Sequence, residues 1–313
     1  MSYTRFKGSF RSTNRTDRIN YYICEPESEI RAILQFAHGW VDCFERNKAL
    51  VEYFTTHGIL VCGCDFIGHD LSGGKAGELP EHCGDFTKKN GWVYLVKDLR
   101  KLTQYIKKTY PGIPIYLYGH GLGSLVARVT VSKGEEYDGL ILSGTSGKQH
   151  FCRRSILYSR FLKFWKGPDY ESTLLETLMQ NKVNCRFFRE KDPKAWECSD
   201  PENRIANNLG RPDAGFYTAG ALRDMFYMLA MVSAKSWYTS LPEEMPVLLI
   251  SGEDDPVGAR GRGIREVSRK LRSAGLKATM RLYPGMRHNL QDEPDKEIVF
   301  RDVLSWMKES MND

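Results

Sequence analysis

Short apolar runs alternate with amphipathic stretches along most of this chain. Residues 32–37 (AILQFA), 59–64 (ILVCGC), 113–118 (IPIYLY), 139–143 (GLILS) and 247–251 (VLLIS) are almost continuously apolar. Runs of that length and make-up read as parallel strands covered on both faces. Residues 278–283 (ATMRLY) alternate instead, which suits a strand nearer a sheet edge. Helical stretches fall between the runs, at 47–56, 92–108, 122–132, 261–274 and 295–309. In the second of these, Val93, Val96, Leu99, Leu102 and Ile106 recur at three- and four-residue spacing, as one face of a helix requires. This alternation predicts an α/β fold with a doubly wound, mostly parallel sheet.

The alternation stops between residues 145 and 241, where the pattern gives helices and loops but no clear strand. The expected organisation is therefore a core in two parts, residues 1–144 and 242–313, with a helical lid or cap inserted at 145–241. Inside the insertion, residues 155–166 (SILYSRFLKFWK) form a basic amphipathic pattern. Leu157, Phe161, Phe164 and Trp165 fall on one face, and Ser159, Arg160, Lys163 and Lys166 on the other. The first expectation is that the apolar face packs on the protein's own core. A lid helix of this make-up can also meet lipid when it opens.

Composition narrows the picture. At about 150 residues per domain, 313 residues make one large α/β domain or two smaller ones. No run of 18 apolar residues is present, and the N-terminal stretch MSYTRFKGSFRSTNRTDR is polar, without the apolar centre of a signal peptide. The eight cysteines show no CxxC pair and no zinc spacing, so they are expected to be reduced and mostly buried, in a cytoplasmic protein without a metal. Cys62 and Cys64 should share one face of their strand. The net charge is +6, and residues 148–194, with eleven Lys and Arg against five Asp and Glu, carry all of it. A basic, aromatic lid is suited to anionic lipid or a phosphate head group.

Four motifs follow strands. The first is Phe36-Ala37-His38-Gly39-Trp40, where a tight turn would point the Trp40 N–H into a site as an oxyanion donor. The second, Asp65-Phe66-Ile67-Gly68-His69-Asp70-Leu71-Ser72, suits loop bracing. The third, Tyr118-Gly119-His120-Gly121-Leu122-Gly123, has the frame of the G-x-S-x-G nucleophile elbow with Gly121 where serine should stand. Leu122, opening the next helix, would give the second oxyanion N–H. The fourth is a pair of loops, Gly252-Glu253-Asp254-Asp255-Pro256-Val257 and Pro284-Gly285-Met286-Arg287-His288. Asp255, with Asp254 and Glu253 as alternatives, is the expected acid and His288 the general base, completing the chain order nucleophile, acid, histidine.

Together these motifs resemble the α/β-hydrolase superfamily, and more closely its lysophospholipase and monoacylglycerol lipase branch, grouped with the serine aminopeptidase-like hydrolases of the S33 type. The resemblance runs over nearly the whole chain, including GWVYLVKDLRKLTQYIKKTYPGIPIYLYGH, the GEDDPVG loop and, less faithfully, WECSDPENRIANNLGRPDAGFY. It implies hydrolysis of single-chain acyl esters, such as a monoacylglycerol or a lysophospholipid, through a Ser-His-Asp mechanism needing no cofactor. Glycine cannot form an acyl-enzyme, and Ser124 lies a helical turn from the elbow tip. Three readings therefore stand: a hydrolase whose serine has been replaced, a silent ligand-binding protein on the hydrolase fold, or His288 and Asp255 acting without a serine. Glycine also takes the positive φ of an elbow at little cost, so Gly121 is expected to fold well.

Two rivals fall away. Gly119-His120-Gly121-Leu122-Gly123-Ser124 only superficially matches a dinucleotide fingerprint, since it ends in Ser124 and lies mid-chain. No basic and aromatic platform for nucleic acid is present.

Overall fold

The computed structural model describes residues 3–40, 42–70, 72, 86, 90–134, 137–149, 152–167, 170–171, 173–208 and 218–312. The chain opens with a hairpin that the apolar periodicity did not announce, β1 (Tyr3–Arg11) and β2 (Arg18–Pro26). β1 is charged and largely exposed, so it carries no apolar run; it is held by antiparallel pairing at the sheet edge. There follow β3 (Ala32–Ala37), α1 (Lys48–Thr56), β4 (Ile59–Cys64), α2 (Gly91–Thr109), β5 (Ile115–His120), α3 (Leu122–Val131) and β6 (Gly139–Ser143). β5 starts two residues later than the run suggests, after Pro114, and continues through His120 to the elbow.

Beyond β6 come α4 (Cys152–Lys166), α5 (Thr173–Asn184), α6 (Pro201–Asn208), α7 (Ala219–Ser233) and α8 (Lys235–Tyr238). The chain then returns to the sheet with β7 (Val247–Gly252), α9 (Arg262–Ser273), β8 (Ala278–Tyr283) and α10 (Lys296–Asn312). The eight strands form one sheet in the order β1-β2-β4-β3-β5-β6-β7-β8, parallel from β4 through β8 and antiparallel at β1 and β2. This is the α/β-hydrolase fold.

Alternate strand residues feed two cores. Ile33, Leu60, Cys62, Cys64, Leu117, Leu140 and Leu249 pack with α2, α3, α7 and α9. Leu34, Phe36, Val61, Tyr118, Ile141 and Ile250 pack with α1 and α10 on the other face. Both faces being covered explains the unbroken apolar runs. Cys62 and Cys64 share one face, fully buried.

The insertion is tied to the sheet by a buried arginine. Arg128 of α3 donates to Thr145 Oγ1 (3.4 Å) and Ser146 O (2.9 Å) at one root of the insertion, and to Val232 O (2.7 Å) at the other. Its guanidinium lies 4.1 Å from the ring centre of Trp237, whose indole N–H donates back to Arg128 O. Burial lowers the Arg128 pKa to about 9. Helix α4 reverses the expected facing. Ser159 is buried and Ile156 packs on the core, whereas Leu157, Phe161, Phe164 and Trp165 are exposed, the last two at 80% and 68%. Helix α4 packs against α7, and its aromatic face is left outward. Among the described residues, no helix is long and apolar enough to cross a membrane.

Candidate active site

The elbow is built by close backbone approach. A Cβ added at Gly123 would stand 2.0 Å from Ala37 O, so only glycine lets α3 start this near β3. Gly121 takes φ 52° and ψ −114°, the strained turn that delivers the chain from β5 into α3. Its N–H donates to Ser143 O (3.0 Å), and its carbonyl accepts from the N–H (3.1 Å) and hydroxyl (2.6 Å) of Ser124. Ser124 is thus buried and turned back onto the elbow, away from any substrate.

Asp255 and His288 meet at this turn. His288 Nδ1 lies 3.0 Å from Asp255 Oδ1, and the ideal Cβ position on Gly121 lies 3.2 Å from His288 Nε2. Asp255 is fully buried; its Oδ1 also accepts the Val257 N–H (2.8 Å) and its Oδ2 the Ser251 hydroxyl (3.2 Å). Burial alone would raise its pKa, but the facing His288 and the N–H groups of Val257 and Gly258 outweigh burial and hold the carboxyl below its ordinary range. Asp254 and Glu253, the alternatives for the acid, stand apart: Asp254 N–H is used by Met286 O, and Glu253 is exposed.

The His288 ring is wedged between His120, with centroids 4.8 Å apart, and Trp196 at 5.1 Å. His120 is in turn held by Ser143 Oγ (3.2 Å) and Asn289 Oδ1 (3.1 Å), and burial with the neighbouring His288 brings its pKa down to about 4. From the insertion side, Trp196 O accepts the His288 N–H (3.4 Å) and Glu197 O the Asn289 N–H (2.7 Å). Arg287, one residue before the histidine, binds Glu190 (2.6 Å), which also binds Arg204 (2.9 Å). This part of the insertion is locked to the histidine loop.

The early motifs brace the same region. His38 Nε2 accepts the Phe66 N–H (2.9 Å), which leaves its Nδ1 as donor to Gly39 O (2.8 Å). Burial pushes the His38 pKa down, so the ring is a neutral strut. Asp65 accepts the Phe44 N–H (2.8 Å) and Ser72 Oγ the Asn20 N–H (3.0 Å), which gives the second motif its bracing partners. Trp40 and Leu122 both line the cavity beside Gly121, and Leu122 opens α3, where the first-turn N–H groups have no intrahelical acceptor.

That cavity holds about 660 Å³. Leu125, Met179, Val183, Met225, Phe226 and Leu229 supply apolar lining. Asp42, Arg46, Lys194, Glu197, Asn289 and Asp292 also line it, and the charges among them act on one another to make a polar end. Asp42 is paired with Arg46 (3.0 Å). Burial pushes the Glu197 carboxyl up to about 7 and that of Asp292 up to about 6. Sequence reasoning missed this polar end, because its residues come from three distant segments and match no spacing rule. Residues between β6 and β7 also send the acid Glu197 to the cavity alongside Lys194.

A histidine tied to a buried carboxylate through one nitrogen, with the other aimed at a helix-opening turn beside a partly apolar cavity, is the arrangement of an acyl-transfer hydrolase. The serine aminopeptidase S33 family matches residues 28–295. This chain belongs to that family. Within the α/β hydrolases it is similar to monoacylglycerol lipases. It is 25% identical to the monoacylglycerol lipase of Mycolicibacterium smegmatis over 98% of both chains. A segment covering 34% of the chain is 32% identical to the monoglyceride lipase homolog of monkeypox virus, over 37% of that protein. Among solved structures, a thermostable carboxyl esterase from Bacillus coagulans superposes with a TM-score of 0.89 at 25% identity, over 97% of this chain and 98% of the esterase. A monoglyceride lipase from Saccharomyces cerevisiae shares the fold with a TM-score of 0.70 at 19% identity, over 98% of this chain and 94% of that one.

Proposed function

We propose that the cavity is the acyl-ester site of a carboxylic-ester hydrolase of the monoacylglycerol lipase and lysophospholipase type, with glycine in place of the nucleophile. The observation that carries this reading is the line Asp255–His288–Gly121, 3.0 Å for its first link and 3.2 Å from His288 Nε2 to the position a Cβ would take. In that reading Asp255 orients His288 and stabilises its charged form, His288 moves protons, and the Trp40 and Leu122 N–H groups hold the oxyanion. The apolar lining takes a single acyl chain. The polar end around Arg46, Lys194, Glu197 and Asn289 takes the alcohol portion, a small polyol or its phosphorylated form. The 145–241 insertion serves as the lid, and the outward face of α4, with Arg154, Arg160 and Lys166 exposed beside it, meets anionic lipid.

The test is Gly121→Ser. The variant should be labelled by a fluorophosphonate and should cleave short-chain monoacylglycerols faster than the unmodified chain by about 10³-fold or more. A folded variant that neither labels nor cleaves would overturn the reading. The glycine itself favours a second reading, reversible binding of an intact ester without turnover. Calorimetry with a non-hydrolysable monoacyl ether, set beside the ester rates of the unmodified chain, separates the two.

A further inference from the structure

We infer that this chain hydrolyses bound esters without a protein nucleophile, by activating water at His288 in the space beside Gly121. The inference rests on the acyl-ester reading above. Among the described residues other than its chain neighbours, the Cβ position of residue 121 lies nearest His288 Nε2 at 3.2 Å, then Gly39 Cα at 3.7 Å and His288 Cε1 at 3.8 Å. Gly39, Gly121, Leu122 and His288 all line the cavity, so this space opens onto it. A hydroxymethyl group and one water, about 30 Å³ in the liquid, are similar in size. His288 Nε2 offers that water a polar partner, and the cavity beside it supplies others.

The protonation pattern suits the step. Asp255 is held ionised and faces Nδ1, so Nδ1 carries the proton and Nε2 the lone pair. Ser124, the nearest serine in sequence, is committed to Gly121 O and does not compete. Water loses a proton to Nε2 as its oxygen bonds to the ester carbonyl carbon. The carbonyl π pair moves onto oxygen, which faces the Trp40 and Leu122 N–H groups. On collapse the carbon–alkoxide bond breaks and the imidazolium returns its proton to the alkoxide. Free acid and alcohol leave, and no acyl-enzyme forms.

The experiment follows 4-nitrophenyl butyrate with the purified full chain, with and without fluorophosphonate, beside His288→Ala and Gly121→Ser. The unmodified chain should turn over without a burst, show no acyl adduct by intact mass, and keep its rate after fluorophosphonate. His288→Ala should lower kcat/KM by about 10²-fold or more, the usual size of a general-base contribution. Gly121→Ser should show a burst, an adduct and full phosphonate sensitivity. A rate in the unmodified chain that equals buffer, equals His288→Ala or falls with phosphonate overturns the inference, as does an acyl adduct. The burst, adduct and phosphonate readings do not depend on His288→Ala folding. If Gly121→Ser gains activity while the unmodified chain stays silent, the water route fails and the acyl-ester reading stands; if both stay silent, both fail.

Discussion

On the sheet side of the cavity, Gly121, Asp255 and His288 sit on loops fixed within a few residues of a buried strand, and each has its backbone or side chain pinned by two or more hydrogen bonds. On the insertion side, residues 190–204 are locked to the histidine loop by Arg287, Glu190 and Arg204, while α4 turns Phe161, Phe164 and Trp165 outward. The difference separates two jobs in the proposed function. There the sheet side would fix the chemistry, where a displacement of an ångström is costly. The outer helices would govern what reaches it, and an exposed apolar face suits contact with something else.

The comparison predicts a graded response to substitution. The largest effect belongs to Gly123→Ala on the sheet side, because its Cβ would stand 2.0 Å from Ala37 O. It should cost more than about 4 kcal/mol or prevent folding, read by urea unfolding. A near-wild-type midpoint would mean the elbow is softer than described. Next comes Arg128→Met, at the junction of the two regions. Loss of its bonds to Ser146 O and Val232 O should cost about 2–3 kcal/mol and raise proteolysis within the insertion before the core. Cleavage in both regions at the same rate would refute the clasp.

These sites were unequally legible beforehand. The elbow frame, Asp255 and His288 follow strands, and their residue types are dictated by local geometry, so short motifs marked them. In the hairpin, β1 was missed because an exposed edge strand carries charges where a core strand carries Val and Leu, and β2 because its buried residues are broken by Asn20 and Tyr21 rather than forming an unbroken Val, Ile and Leu run. The polar end of the cavity was missed for another reason: Asp42, Glu197 and Asp292 become neighbours only through tertiary packing. On α4 the amphipathic pattern was right, but it does not say which face looks inward.

A pH-dependent effect sharpens the electrostatics of the sheet side. Burial raises the Asp65 carboxyl to about 7, against about 3.9 in an unfolded chain. The unfolded state then gives up its proton first, so this group takes stability away as pH rises from about 4 to about 7. Asp65→Asn keeps an acceptor for the Phe44 N–H and removes the titration. Its Tm relative to the unmodified chain should climb across that window and level off above it; a constant difference would show that Asp65 does not titrate there. The smallest stability effect should come from Phe161→Ser, Phe164→Ser and Trp165→Ser together, within about 0.5 kcal/mol per site because each is exposed. Sedimentation with vesicles containing phosphatidylserine should nonetheless show binding reduced several-fold. Binding that ignores both the substitutions and the anionic lipid would remove the lid from the account.

The central claim is that the sheet side is a complete hydrolase site but for one hydroxymethyl group. Fluorophosphonate labelling of Gly121→Ser, compared with Gly121→Ser carrying His288→Ala, tests it most directly. The account predicts rapid, stoichiometric labelling at residue 121 in the single variant and labelling slower by about 10²-fold or more in the double. A folded single variant that stays unlabelled, or one that labels equally fast without His288, would contradict it.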